Sequence, residues 1–133
     1  MSGNANLAVW HDHMKTKTHA GLLAQIADDA VFHSPVVHTP QAGKQLVFAY
    51  LSAADKVFGD ASFAYVDEIV DDARNKAMLE FTAEIDGIHI NGIDIIHWND
   101  EGKIQNFKVL VRPMKAMNML WEKMAAMLET MKG

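Results

Sequence analysis

Asp94 is the residue best placed to do chemistry in this sequence. It stands in the run Gly92-Ile93-Asp94-Ile95-Ile96, where every neighbour is apolar. A carboxyl on an apolar strand face is costly unless it is paired, hydrogen-bonded or kept neutral by a raised pKa. In the neutral state it donates a hydrogen bond and can stabilise an oxygen that gains charge, as when a carbonyl becomes an enolate. His13 is the second candidate, as a proton carrier, because it lies three residues beyond Trp10 on one helical face, with Met14 beside it.

Other polar groups read as structural. His11-Asp12-His13 has the composition of a metal cluster, but helix positions one and two apart point in different directions, so no metal is expected there. His33 and His38, on either side of Pro35, are expected at the surface or rim. Arg112, just before Pro113, is expected to tie the sheet edge to the last helix or to Glu80 or Glu84. Met114, Met117, Met119, Met124, Met127 and Met131 suit an adaptable core or interface better than a cofactor box.

The elements that must position Asp94 follow from periodicity. Leu7, Trp10, Met14, Leu22, Leu23 and Ile26 recur at helical spacing, predicting an N-terminal helix or helix pair through Ala27, with Gly21 able to break it. Asp28-Asp29-Ala30 ends that run, and Val31 to Ser34 is a first short strand stopped by Pro35. A second helix spans Gly43 to Phe58, with Leu46, Val47, Tyr50, Leu51, Ala54 and Phe58 on one face. Further strands are predicted at Phe63 to Val70, Ala77 to Ile85, Ile88 to Trp98 and Ile104 to Val111, with short polar links suited to antiparallel hairpins. Pro113 opens a final helix through Met131. Helices followed by a strand meander predict an α+β fold, a curved antiparallel sheet wrapped around the N-terminal helices with an extra C-terminal helix.

Strand alternation fixes what shares the face of Asp94. Ile96 and Trp98 lie on its side, and Leu79, Phe81, Ala83 and Ile85 form the inward set of the preceding strand, leaving Glu80 and Glu84 outside. The predicted hollow is lined by Trp10, Met14, Phe32, Phe81, Trp98, Phe107 and Val109, with Asp94, Ser34 and His13 as polar points.

Composition bounds the function. The 133 residues suit one domain, and 50% hydrophobic against 22% charged residues describes a globular chain. A net charge of -5 without a basic block argues against nucleic acid and anionic membrane surfaces, leaving a small apolar molecule or another protein as partner. The lack of cysteine removes disulfides and thiolate chemistry and fits a reducing compartment. With no apolar run long enough to span a bilayer and no cationic leader, the expectation is a cytoplasmic protein.

Four segments, Asp28 to Pro35, Gly43-Lys44, Gly92 to Ile96 and Asp100-Glu101-Gly102-Lys103-Ile104, occur in an order and spacing that resembles the nuclear transport factor 2-like superfamily, in its SnoaL-like polyketide cyclase and ketosteroid isomerase branch. The resemblance covers roughly residues 7 to 113 and implies a cone-shaped α+β fold with a pocket between sheet and helices. Steroid isomerases of this branch use a base before the proline, a tyrosine in the first helix, and an acid held neutral so that it donates a hydrogen bond. Those places resemble Ser34, Trp10 and Asp94, so only the acid is kept. Matching the limonene epoxide hydrolases keeps Asp86 but puts Glu84 and Val109 where an arginine and an aspartate are needed. The late-strand carboxylate of the polyketide cyclases is replaced by Phe107, Val109 and Val111.

The resulting expectation is a cofactor-independent isomerase, cyclase or dehydratase acting on a carbonyl or polycyclic compound, with Asp94 and His13 as catalytic residues. The alternative is a non-catalytic ligand-binding or association module of the same fold. The apolar last helix and the outer sheet face favour a homodimer in either case.

Overall fold

The computed structural model describes residues 3–59 and 62–132, excluding the side chains of 131 and 132, so the side chain of Met131 lies outside the described residues. The elements in order are α1 (Gly3–Thr16), α2 (His19–Ala24), β1 (Ile26–His33), β2 (Gln41–Ala42), α3 (Lys44–Val57), β3 (Ala64–Asp71), β4 (Lys76–Ile85), β5 (Ile88–Trp98), β6 (Ile104–Arg112) and α4 (Met114–Lys132). The fold is α+β. One curved, open sheet of six strands runs β2-β1-β6-β5-β4-β3. All pairs are antiparallel except β1 with β6, which is parallel.

The N-terminal helices break four residues earlier than Gly21. Lys17 takes a left-handed φ of 50° and its N–H reaches the carbonyl of His13 at 2.7 Å, closing α1. Thr18 then caps α2, its hydroxyl accepting from the Gly21 N–H at 3.2 Å. Gly21 sits inside α2, on the turn that Thr18 caps.

The first strand begins at Ile26 rather than Val31. Ile26, Ala27 and Ala30 are buried in the core while Asp28 and Asp29 are exposed, a pattern that a helix would also give, and it is the pairing of Ile26 with Ile104 of β6 that makes the segment strand. An irregularity in the β1–β6 register between Ile26 and Val31 absorbs the two aspartates. The carbonyl of Gln25 accepts from the Ile104 N–H at 2.6 Å, holding the start of β1 to β6.

The central strands follow their predicted faces. In β4, Leu79, Phe81 and Ala83 are buried, whereas Met78, Thr82 and Glu84 are exposed. In β5, Ile90, Gly92, Asp94, Ile96 and Trp98 are all buried. Asp86 and Gly87, with φ of 53° and 78°, form the two-residue turn between these strands, since both central positions of such a hairpin need positive φ. Asp86 also pairs with Lys123 of α4 at 2.8 Å.

Two packed clusters share the interior. One joins α1, α2, β1 and α3 to the sheet through Trp10, Leu22, Ile26, Leu51, Trp98 and Phe107. The other joins α4 to the sheet through Ala116, Met119, Leu120, Phe81 and Ile90. Tyr65 and Val109 pack against both. Among the described residues, no helix is long and apolar enough to cross a membrane.

Candidate functional site

A hollow of about 70 Å³ lies where the two clusters meet. α1 supplies Trp10 and Met14, β1 supplies Phe32, and α3 supplies Leu51, Asp55 and Phe58 nearby. The sheet contributes Phe81, Asp94, Phe107, Val109 and Val111, and α4 contributes Leu120 and Met124. Ser34, Pro35, Val36, Lys17, Ala54, Phe63 and Tyr65 complete the lining.

Asp94 is 7% exposed and stands on β5 between the halves of the core. Its Oδ2 accepts a hydrogen bond from the Tyr65 hydroxyl at 2.5 Å, and the Tyr65 oxygen accepts from Trp10 Nε1 at 3.1 Å. A relay of N–H to O–H to carboxyl thus ends in an apolar chamber. Burial raises the Asp94 pKa to about 7, the Tyr65 hydrogen bond opposing the shift and the charge of Asp55 adding to it. Burial and the neighbouring Asp94 push Tyr65 well above its ordinary value of 10.0, so the phenol keeps its proton. When Asp94 is neutral, Oδ1, the oxygen that Tyr65 does not occupy, can carry the proton. The chamber then holds a hydrogen-bond donor aimed from the sheet.

Close packing makes room for these groups. Gly92 precedes Asp94 on the same face, and a Cβ there would collide with the Phe81 ring and come within 2.7 Å of the Leu110 carbonyl oxygen. The bare glycine lets Phe81 lie across β5 and form part of the wall.

Trp10, Met14, Phe32, Ser34, Phe81, Phe107, Val109 and Asp94 all line the hollow, whereas Trp98 and His13 do not. Trp98 is buried on the face of Asp94, but four residues of strand carry it roughly 13 Å along the sheet. Alternation gives a face without giving depth. His13 packs against Trp10 with ring centroids 5.2 Å apart, and its Nε2 turns to Asp55 Oδ2 at 3.1 Å. Ser34 Oγ accepts from the Val36 N–H at 3.2 Å, closing a turn at the rim.

Tyr65 and Asp55 are among the lining groups that the sequence did not place in the hollow. Tyr65 faces inward because the β3–β4 register shifts between Tyr65 and Asp67, which leaves Val66 outside and 55% exposed. A regular ladder would have put Val66 opposite Phe81, and a single-residue bulge carries no sequence signature here. Asp55 was open to detection: it follows Leu51 by four residues and Ala54 by one, close to the apolar face of α3.

The remaining polar groups have partners elsewhere. His11 and His13 diverge, His11 Nε2 meeting Glu68 at 3.0 Å. His33 lies beside Asn106 Nδ2 at 3.2 Å. Arg112 Nε donates to Asn91 Oδ1 at 3.0 Å while Asn91 Nδ2 donates to Glu80 Oε2 at 2.9 Å, so the expected link from Arg112 to Glu80 runs through Asn91.

The comparisons with known proteins agree with this architecture. A steroid delta-isomerase from Pseudomonas aeruginosa superposes with a TM-score of 0.87 at 37% identity, covering 96% of this chain and 92% of that one. A protein with a cystatin-like fold from Silicibacter pomeroyi gives 0.81 at 26%, covering 91% and 83%. A nuclear-transport-factor-2-like protein from Mesorhizobium loti gives 0.69 at 19%, covering 84% and 91%, and shows the fold alone. No curated protein sequence matches the chain. The SnoaL-like domain model matches residues 7–107, and the chain belongs to the SnoaL-like domain family within the nuclear transport factor 2-like superfamily.

Proposed function

We propose that this protein is a cofactor-independent isomerase that moves a double bond in a small, mostly apolar carbonyl compound, with Asp94 as a catalytic residue. The observation that carries this reading is the relay from Trp10 through Tyr65 to Asp94, ending in an apolar chamber. In this reading, neutral Asp94 donates to the substrate carbonyl, and the bond strengthens as the oxygen becomes an enolate. A donor is worth most where water is excluded and charge develops in the transition state. Likeness to a steroid delta-isomerase at 37% identity supports the reaction type.

The size of the chamber narrows the substrate. Its 70 Å³ is about half of the roughly 150 Å³ that encloses a benzene in an engineered protein cavity. A single ring needs the lining to give way to some extent, whereas a polycycle needs a much larger displacement. A β,γ-unsaturated cyclohexenone is therefore the first substrate to try, with conversion to the conjugated ketone followed by ultraviolet absorbance. Asp94→Asn is expected to lower kcat/KM by about 100-fold or more. Equal rates for the two proteins would remove Asp94 from the chemistry, and ligand binding without turnover would favour a non-catalytic binding module.

The same reading includes a homodimer. Val66, Ile69, Met78 and Leu110 are exposed apolar residues on the outer side of the sheet, and Trp121 is 59% exposed on α4. Apolar area of this kind gathers where a partner covers it.

A further inference from the structure

A double-bond shift needs a group that takes a proton from one carbon and returns it to another, and neither Ser34 nor Asp94 suits that task. The hydroxyl of Ser34 is engaged in the turn to Val36. Asp94 serves as the donor to oxygen in the proposed isomerase. We propose that Asp55 is the proton-carrying catalytic residue of this site, and that His13 is a positioning residue that aims it. Both roles rest on the isomerase reading of the hollow.

Two observations on the geometry support the assignment. Asp55 lines the hollow from α3, while Asp94 enters it from the sheet, so a ring held between helix layer and sheet meets one carboxyl on each side. The Asp55 side chain is 19% exposed, enough for its proton to exchange with solvent between turnovers. The second observation is the burial of His13, whose side chain is 1% exposed. Its Nε2 bonds to Asp55 Oδ2 at 3.1 Å, and its Nδ1 is buried without a partner among the described residues. An imidazole with one nitrogen unsatisfied is a poor choice for packing alone, because an apolar side chain would fill the space without that penalty. The residue keeps one bond, and that bond fixes a carboxylate facing the chamber. With Oδ2 held by His13, Oδ1 is left for the substrate.

The reaction balances without an oxidant, reductant or cofactor. The Asp55 carboxylate removes the proton from the carbon between carbonyl and alkene. The C–H electrons form a new C=C bond, and the carbonyl π electrons move to oxygen, which Asp94 stabilises by its hydrogen bond. Protonated Asp55 then returns the proton to the far alkene carbon as the carbonyl reforms, giving the conjugated ketone.

The test combines turnover of β,γ-cyclohexenone with titration by phenol, a planar mimic of the enolate. Asp55→Asn is expected to lower kcat by about 100-fold or more while phenol affinity stays near that of the wild type. His13→Leu is expected to lower kcat with little change in KM, and His13→Gln, which keeps an N–H donor near the place of Nε2, to recover much of it. Should Asp55→Asn fail to fold by circular dichroism, Asp55→Glu keeps the charge and displaces the carboxylate, and is expected to retain phenol while losing turnover. A folded Asp55→Asn protein with the wild-type rate, or full turnover by Asp55→Glu, would overturn the role of Asp55 while leaving Asp94 untouched if Asp94→Asn remains impaired. Wild-type protein that binds phenol yet leaves the ketone unchanged overturns the proton transfer and Asp55 with it. Wild-type protein that binds neither compound overturns the oxyanion site on which the inference rests.

Discussion

Asp94 links function to stability through one proton. The ordinary carboxylate value of 3.8 rises to about 7 in the folded chain, so between those limits the native state holds a proton that the unfolded state has released. Stability therefore declines as pH rises through that window and levels off above it, the cost of the ionised buried carboxyl reaching roughly 4 kcal/mol. Asp94→Asn removes the charge and keeps an oxygen that can accept from Tyr65. Urea unfolding is expected to show the variant gaining on the wild type by up to about 4 kcal/mol at about pH 8, with the gap closing steadily down to about pH 4. A gap that does not change with pH would show that Asp94 does not titrate in this range. At this scale Asp94 was legible because an acid in an apolar run is conspicuous. Tyr65 was not, since its inward direction depends on the bulge at Val66.

Elements were legible where alternation or helical spacing was strong. β4, β5 and β6 take the faces that their sequences predict, because each buries one face against helices. β1 was placed too late because Ile26 and Ala27 continue the apolar spacing of the helix before them, and only their pairing to β6 makes them strand. The contribution of Gly92 was also hidden, since a glycine in a strand has many possible causes and this one depends on Phe81 crossing it. Gly92→Ala is expected to force that ring into the hollow, costing about 1–3 kcal/mol in urea unfolding and abolishing phenol binding. Unchanged stability and binding would mean that Phe81 has somewhere else to go.

For the whole molecule, the order of segments pointed to the family, while the depth of the hollow and the way two clusters share the interior depended on distances that no pattern encodes. The outer face is the remaining large-scale feature. Ile69 and Leu110, 69% and 51% exposed, lie on the side of the sheet away from the hollow. Covering this face with a second copy should bury at least the roughly 1,200 Å² expected of a stable interface. Sedimentation analysis is expected to find a dimer for the wild type and a monomer for Leu110→Glu, with the wild-type circular dichroism retained. A monomeric wild type would end the dimer assignment.

The hollow between the two clusters also has a mechanical consequence. α1 and α3 brace one side, α4 braces the other, and the sheet spans both, with Tyr65 and Val109 bridging the gap. α3 also packs directly on α4, so the two halves are joined through these helices as well as through the sheet. A ring lodged beside Asp94 would act as a keystone, touching both halves and tying them more closely together. The occupant would then complete the interior as well as react within it.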